Sequence, residues 1–342
     1  MSVYHGKKLT VKIIGESHGE KITAYIGGLK GFGFDKSAVE NDLKRRSPTG
    51  KAGATERIES DVPIYAKGVR GGKITGRVVV EFRNRDIKAD DYKNMIGIPR
   101  PSHADIGRYF KNGDVDFTGG GEYSGRVTVG LCAVGSICKD ILDKYYGVKI
   151  SAYLSSVGGE FIKSYNLPDR HGADDDEVSR IVRSAKEHGD SLGAKVECIV
   201  SGVPAGVGGS LFDGIDGKIA TLVYSIPAVK GVEFGKGFAL CDMPGSKADD
   251  GIRFDGEKIV FEKNDDGGIY GGIACGEIRF AVAFKPTPSI QKRQNSVNLL
   301  TGENVTISIG GRHDACVAIR ALPVVEAAAA IAILDEVLYE KR

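Results

Sequence analysis

What this 342-residue sequence lacks excludes several protein classes. No C-x-x-C pair occurs among its six cysteines, Cys132, Cys138, Cys198, Cys241, Cys275 and Cys316, and no Cys/His spacing matches a zinc site. No metal is expected. Most of the cysteines lie in apolar runs, which reads as buried free thiols in a reducing compartment rather than disulfides. Charge of one sign is also missing. Lys+Arg number 47 against 45 Asp+Glu, so nothing marks a nucleic-acid stripe or a polybasic membrane patch. Met1 to Lys8 has no apolar signal core, and Glu326, Asp335 and Glu336 interrupt an Ala-rich C-terminal run too short to span a bilayer. The expectation is a soluble, cytoplasmic protein with no nucleic-acid or membrane partner. The phosphate-loop pattern G-x-x-x-x-G-K-[ST] is absent, and no proper G-x-G-x-x-G is present.

Glycine is what the chain has in excess, 48 residues or about twice the ~7% norm. The glycines fall between periodic segments without a collagen-like period, which predicts tight turns and close backbone approaches to ligand. The richest stretch is Gly310-Gly311-Arg312-His313-Asp314-Ala315-Cys316-Val317-Ala318-Ile319-Arg320. It follows an expected strand, Val305 to Ile309. It precedes an expected helix with Pro323 in its first turn and Val324 to Leu338 as its body. Two arginines, a histidine and a carboxylate at a strand-to-helix elbow make a site candidate. An Arg–Asp pair that merely fixes a loop is the bland alternative, and both stand at this point.

Taken in order, Leu9 to Ile14 and Ile22 to Ile26 read as strands joined through Gly15-Glu16-Ser17-His18-Gly19-Glu20. His18 there is either a proton donor in a pocket or part of an ordinary hairpin loop. Ser37-Ala38-Val39-Glu40 reads as a capping box for a short helix that ends in Lys44-Arg45-Arg46. Those cations either complement the helix dipole or clamp an anion. Arg57, Glu59 and Asp61 are too mixed in sign to decide. A strand from Gly76 to Phe82 leads to Arg83-Asn84-Arg85-Asp86, and Pro99-Arg100-Pro101 enforces an extended approach to His103. Thr118 to Arg126, with its three glycines, feeds a helix from Val127 to Tyr146 closed by Gly147, a natural phosphate-binding geometry or a plain flexible turn. Further strands are expected at Ile150 to Val157, Lys195 to Val200 and Glu277 to Phe284, and helices at Asp174 to Glu187 and Lys218 to Tyr224. The last of these strands delivers Lys285-Pro286-Thr287-Pro288-Ser289, a cation and hydroxyls on stiff backbone.

Short turns join strands as often as helices do, which predicts an α+β fold with largely antiparallel sheets and packed helices. A weak internal repeat of strand, Gly-rich turn and helix suggests two pseudo-symmetric halves, roughly 9–147 and 150–340, within a single domain spanning 1–342. Such halves commonly hold a ligand between them.

Taken together, the motifs resemble the chorismate synthase family. The matching stretches are Gly15 to Gly19, Asp42 to Arg46, Arg100 to Asp105, Gly119-Gly120-Gly121, Gly189 to Ala194, Ala228 to Glu233, Lys285-Pro286-Thr287 and Gly311 to Val317. They occur in family order over nearly the whole chain. The resemblance implies helices sandwiched between antiparallel sheets and a homotetramer. It implies anti-1,4-elimination of phosphate from 5-enolpyruvylshikimate 3-phosphate to give chorismate, a step of the shikimate pathway to the aromatic amino acids. It also implies reduced FMN without net redox change, with NADPH as a reductant in members that reduce their own flavin and a separate flavin reductase for the others. A non-catalytic flavin- or phosphoanion-binding homologue is the alternative.

By the same resemblance, His18 donates a proton to the departing phosphate, His103 stands beside the flavin as a cation, and Asp314 assists proton handling at the flavin. Ser17, Arg46, Arg126 and Arg320 are implied at the substrate's phosphate and carboxylates, where a planar fork suits oxyanions. FMN is implied at Glu122, Tyr123, Ser124, Ala228, Gly271, Lys285, Pro286, Thr287, Pro288, Ser289 and Arg312, with Arg46 also implied for NADPH. Four positions depart from the family pattern: Glu122-Tyr123 replaces Arg-Ser after the glycines, Pro227 replaces Asn, and Ala52 falls at about the place of a family arginine.

Overall fold

The computed structural model describes residues 1–49, 51, 53–55, 59–85, 95–162, 176–310 and 313–340. The elements in chain order begin with β1 Ser2–His5, β2 Thr10–Ile14, β3 Lys21–Gly27, α1 Lys36–Arg46, β4 Ile64–Arg70, β5 Lys73–Arg83, α2 Asp105–Asn112 and α3 Thr128–Tyr146. They continue with β6 Lys149–Val157, β7 Glu160–Phe161, α4 Asp176–Glu187, β8 Ala194–Ser201, α5 Ile215–Tyr224, β9 Val229–Phe234 and the four-residue α6 Gly245–Ala248. Last come β10 Ile252–Asp255, β11 Lys258–Phe261, β12 Ile269–Tyr270, β13 Ile273–Ala274, β14 Ile278–Phe284, β15 Gln294–Asn298, β16 Glu303–Ile307 and α7 Ala318–Glu340.

Two five-stranded sheets, ordered β1-β2-β3-β5-β4 and β7-β6-β8-β14-β9, carry the architecture, and every pairing in both is antiparallel. The α+β expectation holds. α3 packs on the first sheet, α7 on the second, and the two helices pack on each other, with α1 and α5 completing the helical layers. The alternation of apolar residues along β5 and β14 turns one face of each sheet inward, so the core lies between the sheets and around α7. Helix α7 is buried nearly all round, which its run of alanines and β-branched residues permits. Small residues allow close crossing: a Cβ on Gly135 of α3 would collide with Ala327 of α7.

Several boundaries differ from the sequence reading. α1 is capped by Asp35, whose carboxylate accepts from Ser37 N at 2.9 Å, so Ser37 is an interior first-turn residue and not the cap. α7 begins at Ala318, which places Pro323 in its second turn instead of its first. Glu122 does not open α3. It lies in a one-turn 3-10 segment, Gly121–Tyr123, separated from α3 by a second one at Gly125–Val127. Gly71 and Gly72, both at positive φ, make the tight β4–β5 turn. Among the described residues no helix is long and apolar enough to cross a membrane.

One buried ionic cluster ties the layers together. Glu326 of α7 accepts a two-pronged Arg45 fork at 2.7 Å, Lys139 Nζ at 2.6 Å and Ala152 N at 3.0 Å. Asp42 accepts from Arg45, Lys139 and Ser136, closing the cluster between α1 and α3. Burial alone would raise the Glu326 pKa, but the Arg45 hydrogen bonds and the Lys139 and Arg45 charges outweigh it and hold it at about 2. Its folded value therefore lies below its unfolded one. The stability it contributes is fully present above pH ~4.5 and fades as pH falls toward 2. Glu326→Gln should destabilise the fold by about 3–5 kcal/mol at pH 7, because two cations lose their shared carboxylate. Urea unfolding checks this, and the gap between variant and parent should narrow from pH 5 to pH 2.5.

Candidate active site

A cavity of about 240 Å³ opens where the starts of α3 and α7 meet the end of α1. Ser17, His18, Arg46, Glu59, Asp61, Ser124, Arg126, Thr287, His313, Asp314 and Arg320 line it, on backbone supplied by Gly119, Gly120 and Gly125. Glycine is needed at 119: a Cβ there would sit 2.7 Å from His18 Cε1 and Nδ1, so the missing side chain lets the imidazole pack flat on the loop. Ser17 N donates to Gly121 O at 3.2 Å, pinning the His18 loop to the glycine run.

The three arginines are held in different ways. Arg46 is 2% exposed. Its Nε donates to Thr128 Oγ1, its Nη1 to Asp61 Oδ2 at 2.7 Å, and its Nη2 to the carbonyls of Gly125 and Arg126. Burial pulls its pKa down to about 10 against the attraction of Asp61. Arg126 gives Nε to Asn84 Oδ1 at 2.9 Å and Nη1 to Asp61 Oδ1. Its buried Nη2 makes no hydrogen bond among the described residues; a Glu59 carboxylate oxygen lies 3.9 Å away, too far to hydrogen-bond, so the prong keeps room for an acceptor. Arg320 pairs with Asp314 Oδ2 at 2.7 Å and gives Nε to Arg46 O. Asp314 in turn accepts from Thr55 N at 2.9 Å. Asp61 bridges Arg46 and Arg126 from a left-handed backbone, φ +46, a strained conformation for a side-chain-bearing residue.

His103 does not line this cavity. It belongs to a neighbouring cluster in which its Nδ1 lies 2.6 Å from Asp105 Oδ1 while Arg100 forks onto the same carboxylate. Lys285, at the exit of β14, donates to Ser102 O, bringing the second half of the chain against the His103 loop. Burial lowers the His103 pKa; the Asp105 hydrogen bond opposes this, and Arg100 and Lys285 reinforce it. The imidazole therefore leans toward neutral, where the resemblance implies a cation beside the flavin. His313 is lowered too, first by burial.

Among the expected flavin contacts, Ser124 and Thr287 line the cavity, and the buried Thr287 Oγ1 has no partner among the described residues. Glu122 and Tyr123 line a separate pocket with Arg108 and Asp114, where Glu122 pairs with the Met1 amino group at 2.7 Å. Ser289 lines a third, with Asp190 and Gln291, that shares His313 and Asp314 with the cavity. Ala228, at φ +73, accepts from Lys285 N, and Gly271 sits in the β12–β13 turn. Ala228, Gly271, Lys285, Pro286 and Pro288 do not line the cavity. Arg312, Ala52 and Arg57 lie outside the described residues. Sequence reasoning missed Asn84, Glu59 and Asp61 as functional groups. Only the placement of Arg126 marks them.

Three guanidiniums, two imidazoles and three carboxylates around glycine-rich backbone at two helix starts define an enzyme site for a small oxyanion-bearing molecule. A family model described as chorismate synthase matches residues 9–338. Curated chorismate synthases from Korarchaeum cryptofilum and Thermococcus kodakarensis are 40% and 39% identical, with 98% of each chain covered. The one from Chitinophaga pinensis is 38% identical over 98% of this chain and 97% of its own. A crystal structure of chorismate synthase superposes with a TM-score of 0.74 at 26% identity, over 98% of this chain and 93% of that one. The chain belongs to the chorismate synthase family. Its function is that of the family, a lyase of aromatic biosynthesis.

The His103 cluster carries its own prediction. Asp105→Asn removes the largest influence that raises the His103 pKa, so the imidazole should titrate lower than in the parent. Histidine-selective NMR checks the direction. An unchanged or higher midpoint would mean that Asp105 does not govern His103.

Proposed function

We propose that the cavity binds 5-enolpyruvylshikimate 3-phosphate and expels its phosphate by anti-1,4-elimination to give chorismate. The observation that carries this reading is the convergence of His18, Arg126, Asp314 and Arg320 on one cavity, with a buried Arg126 prong left for an acceptor. A phosphate dianion leaving from a carbon needs both charge compensation and a proton. Arg126 and Arg320 meet the anionic groups, and His18, framed by Gly119, delivers the proton to the departing oxygen. Asp314 holds Arg320 and completes the carboxylate side of the site.

The residues fit a flavin ring and phosphate. The unpartnered Thr287 Oγ1, the bare glycine backbone at 119–120 and the cation at Lys285 offer the donors, and Ser124, Ala228, Gly271, Pro286, Pro288, Ser289 and Arg312 belong to the same assignment. Glu122 and Tyr123, placed in the outer pocket, are its weakest members. Reduced FMN, when bound, supplies transient electron donation and recovers it, with no net redox change. An anion arriving beside His103 would favour its protonated form, against the lean that burial gives the imidazole. Arg46 spends its fork on Asp61, Thr128 and two carbonyls, so it is a positioning residue. This favours flavin reduced by a separate reductase over NADPH bound at Arg46.

We further infer a single domain of two halves, 9–147 and 150–340. The shared order supports it: β3, α1, β4, β5, then α3, against β8, α5, β9, β14, then α7, with central strand orders β3-β5-β4 and β8-β14-β9. The protein belongs in the cytoplasm on this reading. A homotetramer also belongs to it. The Ala-rich helix α7 is spent inside the subunit, whereas Leu211, Phe212, Phe238, Ile252 and Phe254 stand exposed and would be covered by other copies.

Two measurements test the reading. With chemically reduced FMN and the phosphorylated substrate the protein should turn over without net flavin oxidation. His18→Ala and His103→Ala should each lose ~10²–10⁴-fold. No turnover by the parent would leave the non-catalytic homologue, which no observation favours. Light scattering at micromolar protein should give a tetramer mass. A monomer mass would count against assembly through the exposed apolar residues.

A further inference from the structure

Asn84 lies one residue past β5, opposite Glu20 as the β3–β5 pairing runs out, and its N–H donates to Glu20 O at 3.0 Å. Its buried side chain does more. Nδ2 donates to Gly19 O at 2.6 Å and Glu16 O at 3.2 Å, the carbonyls on either side of Ser17-His18. Oδ1 accepts from Arg126 Nε at 2.9 Å. The orientation of the amide is fixed by its neighbours, since the reverse would set an NH₂ against a guanidinium and an oxygen against two carbonyls. One planar group therefore grips the imidazole's loop with one end and the cavity's arginine with the other.

We propose that Asn84 is a positioning residue that couples occupancy of the Arg126 anion site to the placement of His18. When an anion takes the open Arg126 prong, any movement of the guanidinium is passed through Oδ1 to the amide plane, and through Nδ2 to the loop that carries the imidazole. The Asp61 bridge holds the far end of Arg126, so the movement is directed toward Asn84. Arg126 and His18 lie on different loops, which the Ser17 N–Gly121 O bond joins through the backbone, and the Asn84 amide is a link that reaches the Arg126 guanidinium itself. The catalytic half of the proposal rests on His18 being the proton donor. The coupling itself does not.

The test uses full-length protein with labelled histidines, the His18 signal assigned by its loss in His18→Ala. Inorganic phosphate is the probe. In the parent, phosphate should shift the His18 signal and raise its titration midpoint. In Asn84→Ala, calorimetry should still detect phosphate binding while the His18 response falls to less than about half. Turnover should show kcat lowered by ~10–100-fold with KM changed only a few-fold, the signature of a misplaced group and not of lost binding. Asn84→Asp is nearly isosteric and guards against misfolding. It keeps an acceptor for Arg126 but sets a carboxylate oxygen against Glu16 O and Gly19 O, so it should lower kcat in the same way. A His18 response to phosphate that is absent in the parent, or intact in Asn84→Ala, overturns the coupling, as does kcat within about 2-fold in both variants. A parent with no turnover fails the activity reading alone, and the phosphate response then decides the coupling.

Discussion

The cavity depends on a salt-bridge cluster that it does not contain. Arg45 and Arg46 are neighbours at the end of α1 and point to opposite duties. Arg45 forks onto Glu326 in the core, and Arg46 braces the cavity through Asp61 and the start of α3. Glu326 and Arg320 lie on the same helix, so the contact that locks α7 against α1 also sets where Arg320 meets Asp314. Two buried carboxylates, Asp42 and Glu326, with two half-buried cations, Arg45 and Lys139, are expensive to desolvate. What they provide is registry: the ends of three helices that carry cavity residues cannot slide without breaking a hydrogen-bonded cluster.

Inside the cavity the same logic applies on a smaller scale. Two adjacent guanidiniums would repel, and Asp61 between them removes that repulsion while it fixes their planes. The left-handed backbone at Asp61 is the strain accepted for that placement. The Arg126 Nη2 is left without a hydrogen bond by this arrangement, 3.9 Å from the Glu59 carboxylate, and it is already oriented.

Much of this was legible in the sequence. Strands and helices with clear period were read within a few residues, and His18, Arg46, Arg126, Asp314 and Arg320 all reach the cavity, because glycine frames or helix ends announced them. Asn84, Glu59 and Asp61 were illegible, being ordinary polar residues whose work is done by partners far along the chain. Asn84 acts on Arg126 and Gly19, and no local pattern encodes that contact. Asp35 against Ser37 as the α1 cap was a choice between two good cap residues two positions apart, which only backbone geometry decides. The two short 3-10 turns that follow the glycine run, the first of which holds Glu122, were illegible because such turns carry little periodic signal.

The placement of the helices gives this cavity a positive field although the formal charges of its lining nearly cancel. Both α3 and α7 begin at it, so two sets of helix N-terminal peptide dipoles present their positive ends. α1 ends there and would offset them with its negative end, but the Leu43, Lys44 and Arg46 carbonyls of its last turn are covered. Arg320 Nε takes Arg46 O, Ser47 N takes Leu43 O and Lys44 O, and Lys51 Nζ takes Ser47 O. The side-chain charges hold geometry, pairing each guanidinium with a carboxylate. The backbone supplies the uncompensated positive field. A site built this way is held closely packed by its own ion pairs, while its backbone supplies the positive field that the proposed substrate's anionic groups would meet.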